Sequence, residues 1–407
     1  MGIQTSHAGS LPRPDHLIEL NRRRMDGEGV DEADYAQQLH DATVEVVKRQ
    51  TDIGLTLPND GEYGHAMGAK VDYGAWWSYI FTRLDGLGGM VPMPEIQAAA
   101  PKDTITLGTF AERRDWNRFA DAYGDPESGV AARAKSTAGE EPEMGMMLPV
   151  CDGPLTYVGH ADAERDIANL KAGMEASGAA GAFLCSLGPG SCSRIGNTHY
   201  ATEEEFIWAC AEAMREEYLA ITNAGIIVQI DEPSFAENWD QFASEPSLAD
   251  YQKFTMVRVE ALNHALRGIP RELVRFHCCW GSWHGPHSTD IGMADLVDML
   301  VRIEAGSYSF EAANARHEHE WRIWKDARLP DDVVLVPGVV GHATNVLEHP
   351  ELVADRIERF VDAVGPDRVI AATDCGLGGR VHPQIAWAKL DALAQGAELA
   401  SRRLSVA

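Results

Sequence analysis

The feature that most constrains this chain is the steady return of short apolar or β-branched runs, each closed by a Gly, Pro or polar turn and followed by a helical stretch. Nine such runs can be read. They are "IQTSHAGS" at the start, "GLTLPNDGE" near Gly54, "MGMMLPVCDGP" near Met146, "GAFLCSLGPG" near Phe183, "GIIVQIDEP" near Ile227, "LVRFHCCWG" near Arg275, "SYSFEAAN" near Ser309, "VVLVPGVV" near Leu335 and "RVIAATDCG" near Ala371. Between them lie helical segments such as "ATEEEFIWACAEAMREEYLAITNAG" and "HPELVADRIERFVDAVG", closed by Gly225 and Gly365. Strand–helix alternation over most of a chain predicts a parallel sheet with helices outside it. Nearly every run also ends in reactive side chains: Asp60-Gly61-Glu62, Asp231-Glu232, His277-Cys278-Cys279, Glu311 and Asp374-Cys375. A (β/α)8 TIM barrel gathers its chemistry in this way, at the C-terminal rim of several strands. An open doubly wound sheet would concentrate it at one crevice, and no GxGxxG turn is present. One of the nine runs is surplus to a barrel. The expected organisation is a single catalytic barrel domain over 1–407, with an excursion at 85–144 where Pro, Gly, Ala and charge replace clear periodicity.

Composition narrows the function classes. A formal charge of −27 repels phosphate backbones and anionic lipid, which argues against nucleic-acid and membrane partners. No stretch is apolar enough to cross a bilayer, and the start, "MGIQTSHAGSLPRP", lacks the basic and apolar regions of a signal peptide. Seven cysteines, an odd number, argue against a disulfide framework and for a cytoplasmic protein with reduced thiols.

The densest chemistry is "FHCCWGSWHGPH", Phe276 to His287. On a strand alternate side chains share a face, so His277 and Cys279 point one way and Cys278 the other, toward the outer helices. His-x-Cys is then a two-ligand clip. Zinc takes four ligands from thiolate, imidazole and carboxylate, and a catalytic zinc keeps one position exchangeable. Cys375 and Glu311, at neighbouring strand ends, are placed to supply the rest. The CxxC spacing of structural zinc is absent, which favours a catalytic site. Cys151, Cys185, Cys192 and Cys210 read as small buried hydrophobes. "ARHEHEW" sets His317 and Glu320 one helical turn apart, and His284 and His287 follow the clip closely. Without a thiolate these read as a polar helix start and a solvated loop.

With these residues in view, the chain resembles the C-terminal catalytic module of cobalamin-independent methionine synthases. The motifs occur in that family's order: "GSLPRP" at Gly9, "NDGE" at Asn59, "QIDEP" at Gln229, then "FHCC", "FEAAN", "GVVGHATN" and "TDCG". They run from Gly9 to Gly376. The resemblance implies a (β/α)8 barrel with zinc held by His277, Cys279, Glu311 and Cys375, Glu311 being the weak oxygen ligand that gives way to the substrate. It implies a small-molecule thiol acceptor, homocysteine, and an alkyl donor of the methylated-pterin type. Glu62 and Asp231 would hold the acceptor's ammonium group, Ser10 with the backbone of Gly9 and Leu11 would face its carboxylate, and His342 would donate a proton to the leaving nitrogen. Trp280 and Trp283 would stack on a flat donor ring or cap the barrel.

No Lys/Arg cluster suited to a polyglutamate tail stands out, and the residues after the clip depart from the long synthases. A relative on the same scaffold, the epoxyalkane:coenzyme M transferases, resembles the chain in length, in the zinc clip and in the turn after it, and implies epoxide opening by a zinc-bound thiol. A third reading, of another class, is a zinc- or thiol-binding barrel without turnover. A decarboxylase of the uroporphyrinogen type would leave the His-Cys-Glu-Cys set unexplained.

Overall fold

The structure, a computed structural model, describes residues 2–406 apart from 66, 68–73, 93–112, 126, 131–146 and 243. Among these residues the strands are β1 (Gln4–Thr5), β2 (Leu84–Pro92), β3 (Met147–Tyr157), β4 (Phe183–Leu187), β5 (Gly196–Asn197), β6 (Ile227–Asp231), β7 (Val274–Cys278), β8 (Ser307–Phe310), β9 (Val334–Val340) and β10 (Ile370–Thr373). Seven of them form a parallel sheet in the order β1-β10-β9-β8-β7-β6-β4.

The gap between β1 and β4 is filled by the segment 55–59. Thr56 N and Leu57 N donate to Thr5 O at 3.1 and 3.0 Å, and Phe183 N donates to Pro58 O at 3.2 Å. Pro58 has no N–H to give a ladder, so this eighth stave is tied by a few bonds rather than a regular strand. The ring it closes is a (β/α)8 barrel.

The surplus run is "MGMMLPVCDGP". Its described part, β3, pairs antiparallel with β2 and parallel with β5 in a separate three-stranded sheet. Pro149, Pro154 and Gly153 suit it to the irregular register of that sheet rather than to an evenly bonded barrel stave. Arg83 fixes this sheet to the barrel helices. Its guanidinium meets Asp166 at 2.6 Å and Glu217 at 2.9 Å, and Glu217 also accepts from Tyr157, Tyr79 and Ser186. All are buried, and removing one partner of such a pair costs about 3–5 kcal/mol, so the joint is stiff. From the excursion at 85–144 the structure describes most of β2, two short helices, Arg114–Arg118 and Ala120–Gly124, and their surroundings. Positions 93–112 and 131–144 lie outside the described residues, as does Met146.

The outer helices form where the sequence caps and patterns them. Asp31 caps Glu32–Asp52 through Ala33 N and Asp34 N, and Tyr35, Leu39, Ala42, Val46 and Val47 bury one face. Thr202 caps Glu203–Asn223, which ends before Gly225 at φ 77°. No helix among the described residues is long and apolar enough to cross a membrane.

Parallel register sets the barrel interior in levels. Cys185, Gln229 and Arg275 are paired in register on one level. Leu187, Asp231, His277 and Ser309 are paired on the next, toward the C-terminal rim. The alternate residues, among them Phe276, Ile230 and Cys278, face outward into the hydrophobic core between sheet and helices. Cys278 is therefore packing, as the alternation of the strand predicts.

Candidate active site

The end of β7 delivers His277 and Cys279 to the rim, and the turn after β10 delivers Cys375. One ligand atom from each lies within 4.8 Å of the others. The imidazole is aimed by its neighbour in register: Nδ1 lies 2.9 Å from Ser309 Oγ, which leaves Nε2 buried without a hydrogen-bond partner. The Cys375 turn is braced by Asp374, whose N–H donates to Val340 O and whose Oδ1 accepts from Ala312 N and Ala313 N at 2.7 and 2.8 Å. The Cys375 thiol is held well below the usual range by its hydrogen bond with Cys279, and, against burial, by His277. Cys279 is pushed up by the same contact. One imidazole nitrogen and two thiols facing one another in a buried pocket, with one nitrogen orphaned, is a donor set that fits zinc.

Glu311 does not complete this trio. It groups instead with His342 and Asp374, again within 4.8 Å. Its Oε1 accepts from Trp280 N at 3.0 Å and its Oε2 from Asn314 Nδ2 at 2.8 Å. His342 is buried with neither ring nitrogen hydrogen-bonded, and burial lowers it to about 3, so it is neutral at neutral pH.

Next to the trio, Glu62 and Asp231 close on Cys185, all buried and within 4.8 Å. Burial and the facing Asp231 push Glu62 up to about 8, while burial raises Asp231 to about 6 against the opposing pull of His277. Glu62 Oε2 is buried without a hydrogen-bond partner, 3.8 Å from His65 Nδ1. Glu62 has φ 58°, a strained value for a side chain of this kind, held in a tight turn. Gly9 lets the chain pass: a Cβ there would lie 2.2 Å from Glu62 Oε1 and 2.7 Å from Cys185 Sγ. Ser10 follows, its carbonyl receiving Leu377 N and Gly378 N at 2.8 Å each, so the first rim loop is sewn to the loop that carries Cys375.

These groups line one cleft of about 250 Å³. Ser10, Glu62, Asp231, His277, Cys279 and Cys375 form its floor, and Trp76, Trp77, Trp116 and Trp283 its apolar mouth, with Arg113, Arg380 and Glu237 among them. Arg113 stacks 4.2 Å over the Trp283 ring and pairs with Glu237, which also pairs with Arg194 at 2.7 Å. Arg380 Nε donates to Ser282 Oγ at 2.7 Å.

Several expectations are corrected here. Trp280 does not face the cleft: it is buried, stacked 3.8 Å from His317, with Nε1 bonded to Ile291 O at 2.7 Å. Of the histidines read as a solvated loop, His287 is buried and His284 half-buried, and His317, read as a polar helix start, is buried too. His287 and His317 both lie 3.0 Å from Asp290 Oδ2, and His317 reaches Glu320 at 3.0 Å. Asp290, three residues after His287 and 27 before His317, supplies the counter-charge that allows their burial. The sequence also concealed the cations of the cleft, because Arg113 and Arg380 are far apart along the chain. Trp76, Arg113 and Trp116 carried no local signal. Arg380, five residues after Cys375, was within reach of an argument from the rim loop.

Residues 188–398 match the protein family described as cobalamin-independent synthase, catalytic domain. Over the full length the chain is similar to a methionine synthase of Thermococcus kodakarensis, 22% identical over 406 residues that cover 99% of this chain and 95% of that one. It is also similar to a 2-hydroxypropyl-CoM lyase of Xanthobacter autotrophicus, 27% identical over 239 residues covering 51% of this chain and 58% of that enzyme. Among solved structures, a B12-independent methionine synthase from Shewanella sp. W3-18-1, in complex with selenomethionine, superposes with a TM-score of 0.69 at 19% identity, each chain covered completely.

Proposed function

The chain belongs to the family of cobalamin-independent synthase catalytic domains, and from that premise we propose that it is a zinc-dependent thiol alkyltransferase of the cytoplasm, acting as one barrel domain. The acceptor is homocysteine or a similar small amino-acid thiol, and the alkyl group is a methyl carried on nitrogen by a methylated pterin or a comparable donor. The observation that carries this reading is the juxtaposition, in one cleft, of the His277–Cys279–Cys375 trio and the buried pair Glu62 and Asp231.

His277, Cys279 and Cys375 would hold the metal, and Glu311, which here bonds to Trp280 N and Asn314 Nδ2 instead, would have to turn from those partners to serve as the exchangeable fourth ligand. Zinc there would keep a substrate thiol deprotonated at neutral pH, where a free thiol with a pKa of about 8.5 is mostly protonated. Glu62 and Asp231 would receive the acceptor's ammonium, and Ser10 would face its carboxylate. The apolar walls Trp283, Trp76 and Trp116 would bury a flat donor ring and exclude water. The methyl passes to sulfur as its bond to nitrogen breaks, and the thiol's proton ends on the leaving nitrogen. His342, neutral at rest, would carry that proton.

The paired carboxylates give a pH signature. With Glu62 raised to about 8 in the free protein, its carboxyl is mostly protonated at pH 7 and must ionise to hold an ammonium. Homocysteine is therefore expected to release about one more proton on binding than its analogue without the amine, 4-mercaptobutyrate, at pH 7. The difference should fade above about pH 9, where Glu62 is already ionised. Calorimetry in buffers of differing ionisation enthalpy measures it, and equal proton release would remove Glu62 from the ammonium site.

A second reading is the opening of an epoxide by a sulfonate-bearing thiol, favoured by Arg113 and Arg380 in the cleft. Metal analysis of purified protein, followed by titration with homocysteine and with coenzyme M under X-ray absorption at the zinc edge, separates the two. A new sulfur ligand with homocysteine alone supports the first reading, and with coenzyme M alone the second. Zinc that gains sulfur from neither, with no alkyl transfer from any donor, leaves a metal-binding barrel without turnover.

A further inference from the structure

One level below the acceptor carboxylates, the barrel interior holds a guanidinium that forms no ion pair with a carboxylate among the described residues. Arg275 lies two residues before His277 on β7 and is in register with Gln229, which lies two residues before Asp231 on β6. It is 1% exposed. Its hydrogen bonds run through Nη1, to Ser6 Oγ at 3.0 Å, His7 O at 3.4 Å and Gln229 Oε1 at 3.4 Å, while its Cζ lies 4.3 Å from the Phe183 ring centroid. Nε and Nη2 are buried with no hydrogen-bond partner. A charge taken out of water in this way is costly, and an apolar side chain of similar volume would pack there more favourably. Filling the barrel does not explain it.

Gln229 supplies the explanation. A glutamine amide has one accepting end and one donating end, and its neighbours decide which way it points. Here the oxygen faces Arg275. The nitrogen therefore faces Ala8 O at 3.1 Å, Cys185 Sγ at 3.4 Å and Asp231 Oδ1 at 2.8 Å. A flipped amide would set its oxygen against the Asp231 carboxylate and its N–H groups against the guanidinium, two repulsive contacts at once.

We infer that Arg275 is a positioning residue for acceptor selection: by locking the Gln229 amide it fixes the Asp231 carboxylate toward a substrate ammonium, so that the cleft selects thiols bearing an amine over thiols that lack one. This rests on the amino-acid acceptor reading proposed above. Arg275 touches neither substrate nor metal. It acts through Gln229.

The test is binding of homocysteine and of 4-mercaptobutyrate, which keeps the thiol and carboxylate but has no amine, to the zinc-loaded full chain. Wild-type protein is expected to prefer homocysteine by about tenfold to a hundredfold, the range for a hydrogen bond to a charged group. In Arg275→Met and in Gln229→Leu that preference should shrink toward unity, with zinc content and 4-mercaptobutyrate affinity unchanged. Arg275→Lys should recover part of it, and the double variant should lose no more than either single one, because both act on the same carboxylate. If wild type shows no preference, the amino-acid acceptor reading falls. If wild type shows the preference and both single variants keep it, the acceptor reading stands and the role of Arg275 falls. Equal weakening of both thiols also overturns it, since that is what a purely structural role produces. Should Arg275→Met fail to fold, Gln229→Leu and Arg275→Lys decide the matter.

Discussion

Replacing either Cys279 or Cys375 by serine is expected to strip the protein of zinc and to reduce alkyl transfer by on the order of a thousandfold or more, the several kcal/mol that a metal supplies to a reaction of this kind. Serine is close to cysteine in size, so packing changes little. The chemistry changes fully, because a serine hydroxyl stays protonated at neutral pH and is a poor zinc ligand. The two thiols already interact strongly, Cys375 lowered and Cys279 raised through their shared contact. Loss of either leaves His277 with one sulfur partner. Metal analysis after dialysis, read beside activity, checks the result. Either variant keeping full zinc and full turnover would take that residue out of the site. Cys278→Ser is the internal control: its side chain faces the hydrophobic core, so zinc retention should be untouched while stability falls.

Glu62→Gln should do the opposite, weakening the acceptor by about tenfold to a hundredfold while sparing zinc. The amide keeps the shape that Gly9 accommodates, so the first rim loop stays in place, but it presents no charge to an ammonium and its N–H groups repel one. The loss belongs in the acceptor's Kd, with the donor's KM unchanged. Unchanged acceptor affinity would return Glu62 to the role of a loop anchor. The substitution also removes a buried carboxyl that burial and Asp231 push up to about 8. A group raised in the folded state above its unfolded value favours unfolding once the unfolded form ionises, so the variant should gain stability relative to wild type between about pH 5 and 8.

The barrel was legible because strand ends repeat one signal, an apolar run stopped by a reactive side chain. The surplus ninth run was not assignable, because the eighth stave contains Pro58 and keeps only a few ladder bonds, so it is a weaker strand by pattern than β3, which lies outside the ring. Residues brought together by alternation on one strand were the readable part of the site: His277 and Cys279 share a face, and Cys278 does not. Trp280 obeys the same parity, turning away from the cleft as Cys278 does, and its ring goes to His317; the family resemblance, not the alternation, sets it beside the donor. His287, His317 and Asp290 show the other limit. A polar stretch reads as solvated until the counter-charge that buries it is known: for His287 it is close by, but spacing alone does not show that Asp290 turns inward, and for His317 it lies 27 residues away in another loop. The cations of the cleft were hidden for the same reason.

The two ends of the cleft have different parentage. Its sulfur-bearing floor is made of barrel strand ends locked in parallel register, where shifting one residue would shift its neighbours. Arg113 and Trp116, at its mouth, come from the connection that leaves the barrel between the second and third staves, and no register ties their identity to the floor. That connection can be rewritten, by evolution or by grafting, provided its buried partners, Glu237 for Arg113 and Ser288 for Asp115, change with it. One scaffold could thereby exchange its electrophilic partner while keeping its sulfur chemistry, so comparing relatives at Arg113 and Trp116 should sort them by donor more sharply than comparing their metal ligands.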